Sequence, residues 1–143
     1  MYNARPMGRG VERGLLFVAA AWNVLLASMT LFMYSPWFRN AGYDVLERAG
    51  RMSSASLVGQ VASIVNLYAS ALLVIGVVSF LLAALTMRPG TISRGLTVWL
   101  SVALMFSLLT ADWVSLALYS VTLALYVARN KAIRAQRTAV GQQ

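Results

Sequence analysis

The sequence predicts an all-α integral membrane protein: four transmembrane helices in an antiparallel bundle, with a short interfacial helix in the first outer loop. Three observations predict it. Of the 143 residues, 59% are hydrophobic and 11% are charged. A typical soluble domain carries about 25% charged residues, so this chain has too few to clothe a water-facing surface. Apolar runs long enough to cross hydrocarbon recur along the chain. The charges, a formal +8, cluster at the edges of those runs, where cytoplasmic flanks of membrane helices carry them. They form no basic stripe interleaved with aromatics, so nucleic acid is not an expected partner.

The first run is "GLLFVAAAWNVLLASMTLFMYSPWF", Gly14 to Phe38. About 20 residues cross a core of about 30 Å, and a span over about residues 15–34 fits. Pro36 is expected to stop the helix, and Tyr34, Trp37 and Phe38 suit a membrane-water boundary. Arg5, Arg9 and Arg13 resemble the basic start of a signal peptide. The apolar part is too long for one, and no small-x-small cleavage site follows, so the helix is expected to be retained.

An outer loop, 35–63, comes next. Its segment from Asn40 to Met52 mixes Tyr43, Val45, Leu46 and Ala49 with charged neighbours, the pattern of a short amphipathic helix on the outer surface. A partner-binding lid is the alternative. Gly50 and the serines after it suggest a break.

The second apolar run, Ser56 to Met87, covers about 32 residues, or roughly 48 Å as helix. That exceeds the core, so the span is placed at about 64–86 with a helical stem before it. "RPG", Arg88 to Gly90, ends it.

The third run, Ile92 to Ala128, would measure roughly 55 Å as one helix, nearly twice the hydrocarbon thickness. It divides near "TAD", where Asp112 is the only charged residue between Arg94 and Arg129. The spans become 94–110 and 113–128. Thr110 and Asp112 supply a polar turn, and Asp112 can cap the fourth helix, with Trp113 at the interface. The competing reading makes Asp112 an intramembrane carboxylate that moves protons or ions. That needs a partner charge, and none is near in sequence.

Residues 1–143 thus form a single four-helix membrane domain with a basic tail at 129–143. Arg5, Arg9 and Arg13, then Arg88 and Arg94, then Arg129, Lys131, Arg134 and Arg137 all fall on one side of this topology. The positive-inside rule places both termini in the cytoplasm, and the expected location is the cell (plasma) membrane, crossed several times.

Polar and small residues recur at helical spacing within the spans. Asn23 shares a face with Ala19 and Ala27. Gly59, Ser63, Asn66 and Ser70 make a stripe that Gly76, Ser79 and Ala83 continue. Ser115, Tyr119, Thr122 and Tyr126 mark the fourth helix. Small residues let helices approach, and polar side chains hydrogen-bond across the contact. Asn23, Asn66, Ser70, Gly76, Ser79, Tyr119 and Thr122 are therefore candidate contacts between helices or with a partner. The alternative is a polar groove for a ligand or lipid headgroup.

No cysteine and no histidine occurs, which removes disulfides, thiolate and imidazole metal sites and histidine acid-base chemistry. No mid-span acid, selectivity-filter sequence, phosphate loop or nucleophile set is present. No catalytic, cofactor or metal site is expected.

With the basic start "GRGVERGLL", one long outer loop, the close-set final hairpin and the basic tail "ARNKAIRAQR", the chain resembles the uncharacterised small four-span membrane proteins of Gram-positive bacteria. The resemblance implies location and class and brings no activity or site residues. The expected role is a non-catalytic accessory or stabilising subunit of a larger membrane complex. Membrane lipids and a membrane-protein partner or a second copy of the chain are its expected contacts. A self-assembling pore, holin-like or immunity-type protein is one alternative, and a small transporter centred on Asn23 and Asn66 is another.

Overall fold

A computed structural model describes residues 9–50, 55–87 and 92–140. Nearly all of them are helical, and no strand occurs among them. The elements are α1 (Gly10–Met29), a π-helical turn (Thr30–Tyr34), α2 (Ser35–Arg48), α3 (Ala55–Leu85), α4 (Arg94–Leu109) and α5 (Trp113–Val140). Two helices are long and apolar enough to cross a membrane, Gly10–Arg48 and Ser56–Leu85, and Arg94–Leu109 is a shorter apolar helix.

Pro36 does not stop the first helix, contrary to the sequence expectation. A proline inside a helix has no N–H to donate, and its ring crowds the carbonyl one turn back. Here the turn before it widens. Ser35 N–H donates to the Thr30 carbonyl, five residues back, and Pro36 falls in the first turn of α2. The helix therefore runs unbroken for 39 residues. The amphipathic segment expected in a first outer loop continues α1 through Arg48 instead of standing as a separate helix. Much of the expected loop is consequently helical: α2 fills its first part, and α3 begins at Ala55. The helix closes where Gly50 adopts φ +64° and donates its N–H to the Glu47 carbonyl at 3.0 Å. Arg88 to Gly90 lie outside the described residues.

The chain divides into two compact units, Met1–Ala21 with Val78–Gln143, and Trp22–Val77. In the second, α2 and α3 approach closely at Gly42. A Cβ there would stand 2.9 Å from Val58 Cγ1 and 3.2 Å from Cγ2. Gly42→Leu is expected to force the two helices apart and cost about 1–3 kcal/mol. Thermal unfolding in detergent, followed by circular dichroism, checks this, and adding Val58→Ala should restore part of the loss.

In the first unit, α4 and α5 pack side by side across a three-residue turn. Asp112 N–H donates to the Ser107 carbonyl at 3.0 Å and Ala111 N–H to that of Leu108 at 3.2 Å. This is a Schellman closure, with Ala111 in the left-handed region at φ 53° where glycine is usual. Asp112 also opens α5. Its Oδ1 accepts the Ser115 N–H at 3.1 Å and its Oδ2 accepts the Ser115 hydroxyl at 2.6 Å. Ala111→Gly should stabilise the hairpin by about 1 kcal/mol, and Asp112→Ala should destabilise it by about 1 kcal/mol. Opposite shifts of the unfolding midpoint are the expected readout.

Candidate functional site: a buried polar seam

The buried face of α5 is polar. Ser115, Tyr119, Thr122, Tyr126 and Asn130 are buried, with only Ile133 apolar beyond them. Their three- and four-residue steps place them on one stripe of the helix. The opposite face exposes Val121 and Val127.

Tyr119, Tyr126 and Asn130 on this stripe reach other elements. Tyr119 OH lies 3.0 Å from Ser79 Oγ on α3. The same Ser79 oxygen accepts the indole N–H of Trp99 on α4 at 3.0 Å. One serine hydroxyl thus ties three helices together. Thr122 turns its hydroxyl back to the Leu118 carbonyl at 2.7 Å and needs no outside partner. Tyr126 OH accepts the Ser93 N–H at 2.9 Å and donates to the Ser93 carbonyl at 3.1 Å. Ser93 is the residue that caps α4, its side chain accepting from Leu96 N–H. Tyr126 therefore pins the start of α4 to α5.

One turn further on, the seam becomes charged. Glu12, fully buried at the start of α1, pairs with Arg129 Nη1 at 3.0 Å. Arg9, only 3% exposed, donates from Nη2 to Asn130 Oδ1 at 2.7 Å. Its guanidinium also sits 4.6 Å from the centre of the Tyr126 ring, a cation–π contact that gains strength out of water. Glu12 Oε1 and Arg9 Nε are buried without a hydrogen-bond partner. A salt bridge of this kind costs much of its attraction in desolvation, so its main structural effect is to penalise any packing that separates the partners.

No family model, curated protein or solved structure matches this chain. The site is therefore read from its own geometry. Among the described residues no group of three or more His, Cys, Asp or Glu could hold a metal ion. The seam gathers hydroxyls, an indole, amides and one ion pair, chemistry suited to locking helices in register.

The residues singled out in the sequence are dispersed. Ser79 and Tyr119 meet, and Thr122 lies on the same face as Tyr119. Gly76 and Asn23 are buried. Ser70 is exposed, its hydroxyl bonded to the Asn66 carbonyl at 2.8 Å. Ser63 is likewise exposed and bonded to the Gly59 carbonyl at 2.9 Å. At that level the buried positions of α3 are Ala62 and Ala69. The sequence reading did not single out Glu12, Trp99 or Asn130, and it treated Arg9 and Arg129 only as topology determinants. For Glu12 a signal existed: it continues the Ala19–Asn23–Ala27 face backward, through Leu16, at steps of three and four.

Proposed function

We propose that this chain is a small non-catalytic integral membrane protein of the bacterial plasma membrane that serves as an accessory or stabilising subunit of a larger membrane complex. In this reading four helices cross as an antiparallel bundle, with both termini in the cytoplasm.

The observation that carries the reading is an inversion of polarity. Buried positions hold Glu12, Asn23, Ser79, Ser115, Thr122 and a core rich in alanine, while Phe32 is 78% exposed, Leu67 73% and Leu109 80%. Water-soluble proteins bury their large apolar side chains and expose their charges. Hydrocarbon rewards the opposite, and small residues then let helices approach.

Orientation is supported by charge. Arg9, Arg13, Arg94, Arg129, Lys131 and Arg134 belong to the end of the first unit that holds the Glu12 pair and the start of α4. Asp112 belongs to the other end of α4 and α5. The positive-inside rule assigns the basic end to the cytoplasm. The 16 residues of α4 measure about 24 Å as helix, a shortfall that local thinning of the bilayer accommodates.

A partner is supported by the outward stripe of Ser63 and Ser70. Their hydroxyls fold onto their own backbone, leaving a smooth surface that a helix of another protein can approach.

The test is alkaline carbonate extraction of native membranes, then affinity purification in a mild detergent with mass spectrometry and sizing. Retention in the membrane and a stoichiometric membrane-protein partner are expected. Release into the soluble fraction overturns the membrane assignment. Recovery alone, or as a homo-oligomer, overturns the accessory role and moves the weight to a pore.

A further inference from the structure

We infer that the basic end of the first unit is a binding surface for the headgroup of an anionic phospholipid. The inference rests on the membrane reading above and deepens it by naming the lipid class.

Two of the arginines at this end are already engaged. Arg9 is held by Asn130 and Tyr126, and Arg129 by Glu12. Arg13, Arg94, Lys131 and Arg134 remain exposed. Glu12, the one acid among the described residues of this end, is fully buried against Arg129. It neutralises none of the exposed cations.

Each helix repeats one arrangement. On α4, exposed Arg94 stands one turn from Val98, which is 63% exposed, and Val102 follows. On α5, exposed Lys131 stands one turn from exposed Val127. On α1, the guanidinium of Arg13 lies 5.5 Å from the centre of the Phe17 ring, next to exposed Val18. In α1 and α4 the cation precedes the apolar side chains in sequence, and in α5 it follows them. Tyr126 bonded to Ser93, and Arg129 bonded to Glu12, bring these three helix segments to the same end.

A cation one turn, about 6 Å, from an apolar side chain on the same face suits a ligand with a phosphate joined to hydrocarbon. A soluble anion would meet the charge and leave the valines uncovered. A zwitterionic headgroup would bring an ammonium against four cations. Basic residues at such a boundary each favour anionic lipid by about fivefold.

The test uses the full chain purified in a non-ionic detergent. It is incubated with an equimolar mixture of phosphatidylglycerol and phosphatidylcholine of matched chains, repurified, and its bound lipid quantified by native mass spectrometry. Phosphatidylglycerol should be enriched roughly fivefold or more. The variant R13Q/R94Q/K131Q/R134Q should lose the enrichment, while R13K/R94K/R134K, which keeps the charge, should retain it. Equal binding of the two lipids by the parent chain, or displacement of phosphatidylglycerol by millimolar inorganic phosphate, overturns the proposal. Carbonate extraction of the same membranes separates the two failures. A chain that stays in the pellet yet binds both lipids equally sinks the lipid surface alone. A chain released into solution sinks the membrane reading with it.

Discussion

Arg129→Gln is expected to destabilise the protein by about 3 kcal/mol, the lower end of the range for breaking a buried ion pair. The cause is the residue left behind. Glu12 is fully buried, Arg129 Nη1 contacts its Oε2, and its Oε1 already lacks a partner. Without the guanidinium, a carboxylate would face the interior with nothing to offset its desolvation. The lower end applies because the Arg129 side chain is 29% exposed, so water offsets part of the loss. The decisive comparison is the double variant Glu12→Gln/Arg129→Gln, which removes both charges and should recover most of the stability. Unfolding of the detergent-solubilised protein with increasing denaturing detergent measures all three. If the double variant is as unstable as Arg129→Gln, the arginine stem is what matters and the charge argument fails.

Tyr126→Ala should have a comparable effect, about 3–5 kcal/mol. The side chain is 1% exposed, and three interactions converge on it: the two hydrogen bonds with the Ser93 backbone and the Arg9 guanidinium over the ring. Tyr126→Phe keeps the ring and removes only the hydroxyl, leaving the Ser93 N–H and carbonyl to find other partners, at about 1–3 kcal/mol. The difference between the variants separates packing from hydrogen bonding. Tyr126→Phe should also fray the start of α4, seen as faster amide exchange at Leu96 and Thr97. Unchanged exchange there would show that the Ser93 cap holds α4 without the tyrosine.

The parts of this fold that length and charge decide were legible in the sequence. A run from Ile92 to Ala128 would measure roughly 55 Å as one helix, and Asp112 is the only charged residue between Arg94 and Arg129, so the turn had one place to go. The course of the chain through Pro36 was not legible. Proline reads as a stop because its ring crowds the preceding turn, and nothing in "TLFMYSP" announces the wider turn that relieves the crowding. The outward placement of Ser63 and Ser70 was equally hidden. In α3 large apolar residues stand on every side of the small and polar stripe, so periodicity gives a stripe without saying which way it faces. Ala62 and Ala69 are as small as the serines and took the buried positions. Glu12 was obscured by its neighbours. Lying among Arg9 and Arg13, it looks like one more charge in a flanking segment, and only packing against α5 distinguishes a buried carboxylate from a solvated one.

Asp112 closes the end of α4 through its N–H and caps the start of α5 through its carboxylate, and this bears on how the chain would be made. Each of the two apolar segments is too short to be a strong insertion signal alone, since about 17 residues is the lower limit for a span. If both cross the bilayer as proposed, a turn this tight favours their entering it together, as a hairpin. In the proposed orientation its apex carries the charge of Asp112 across the membrane, while Arg94 and Arg129 mark the two ends that stay behind.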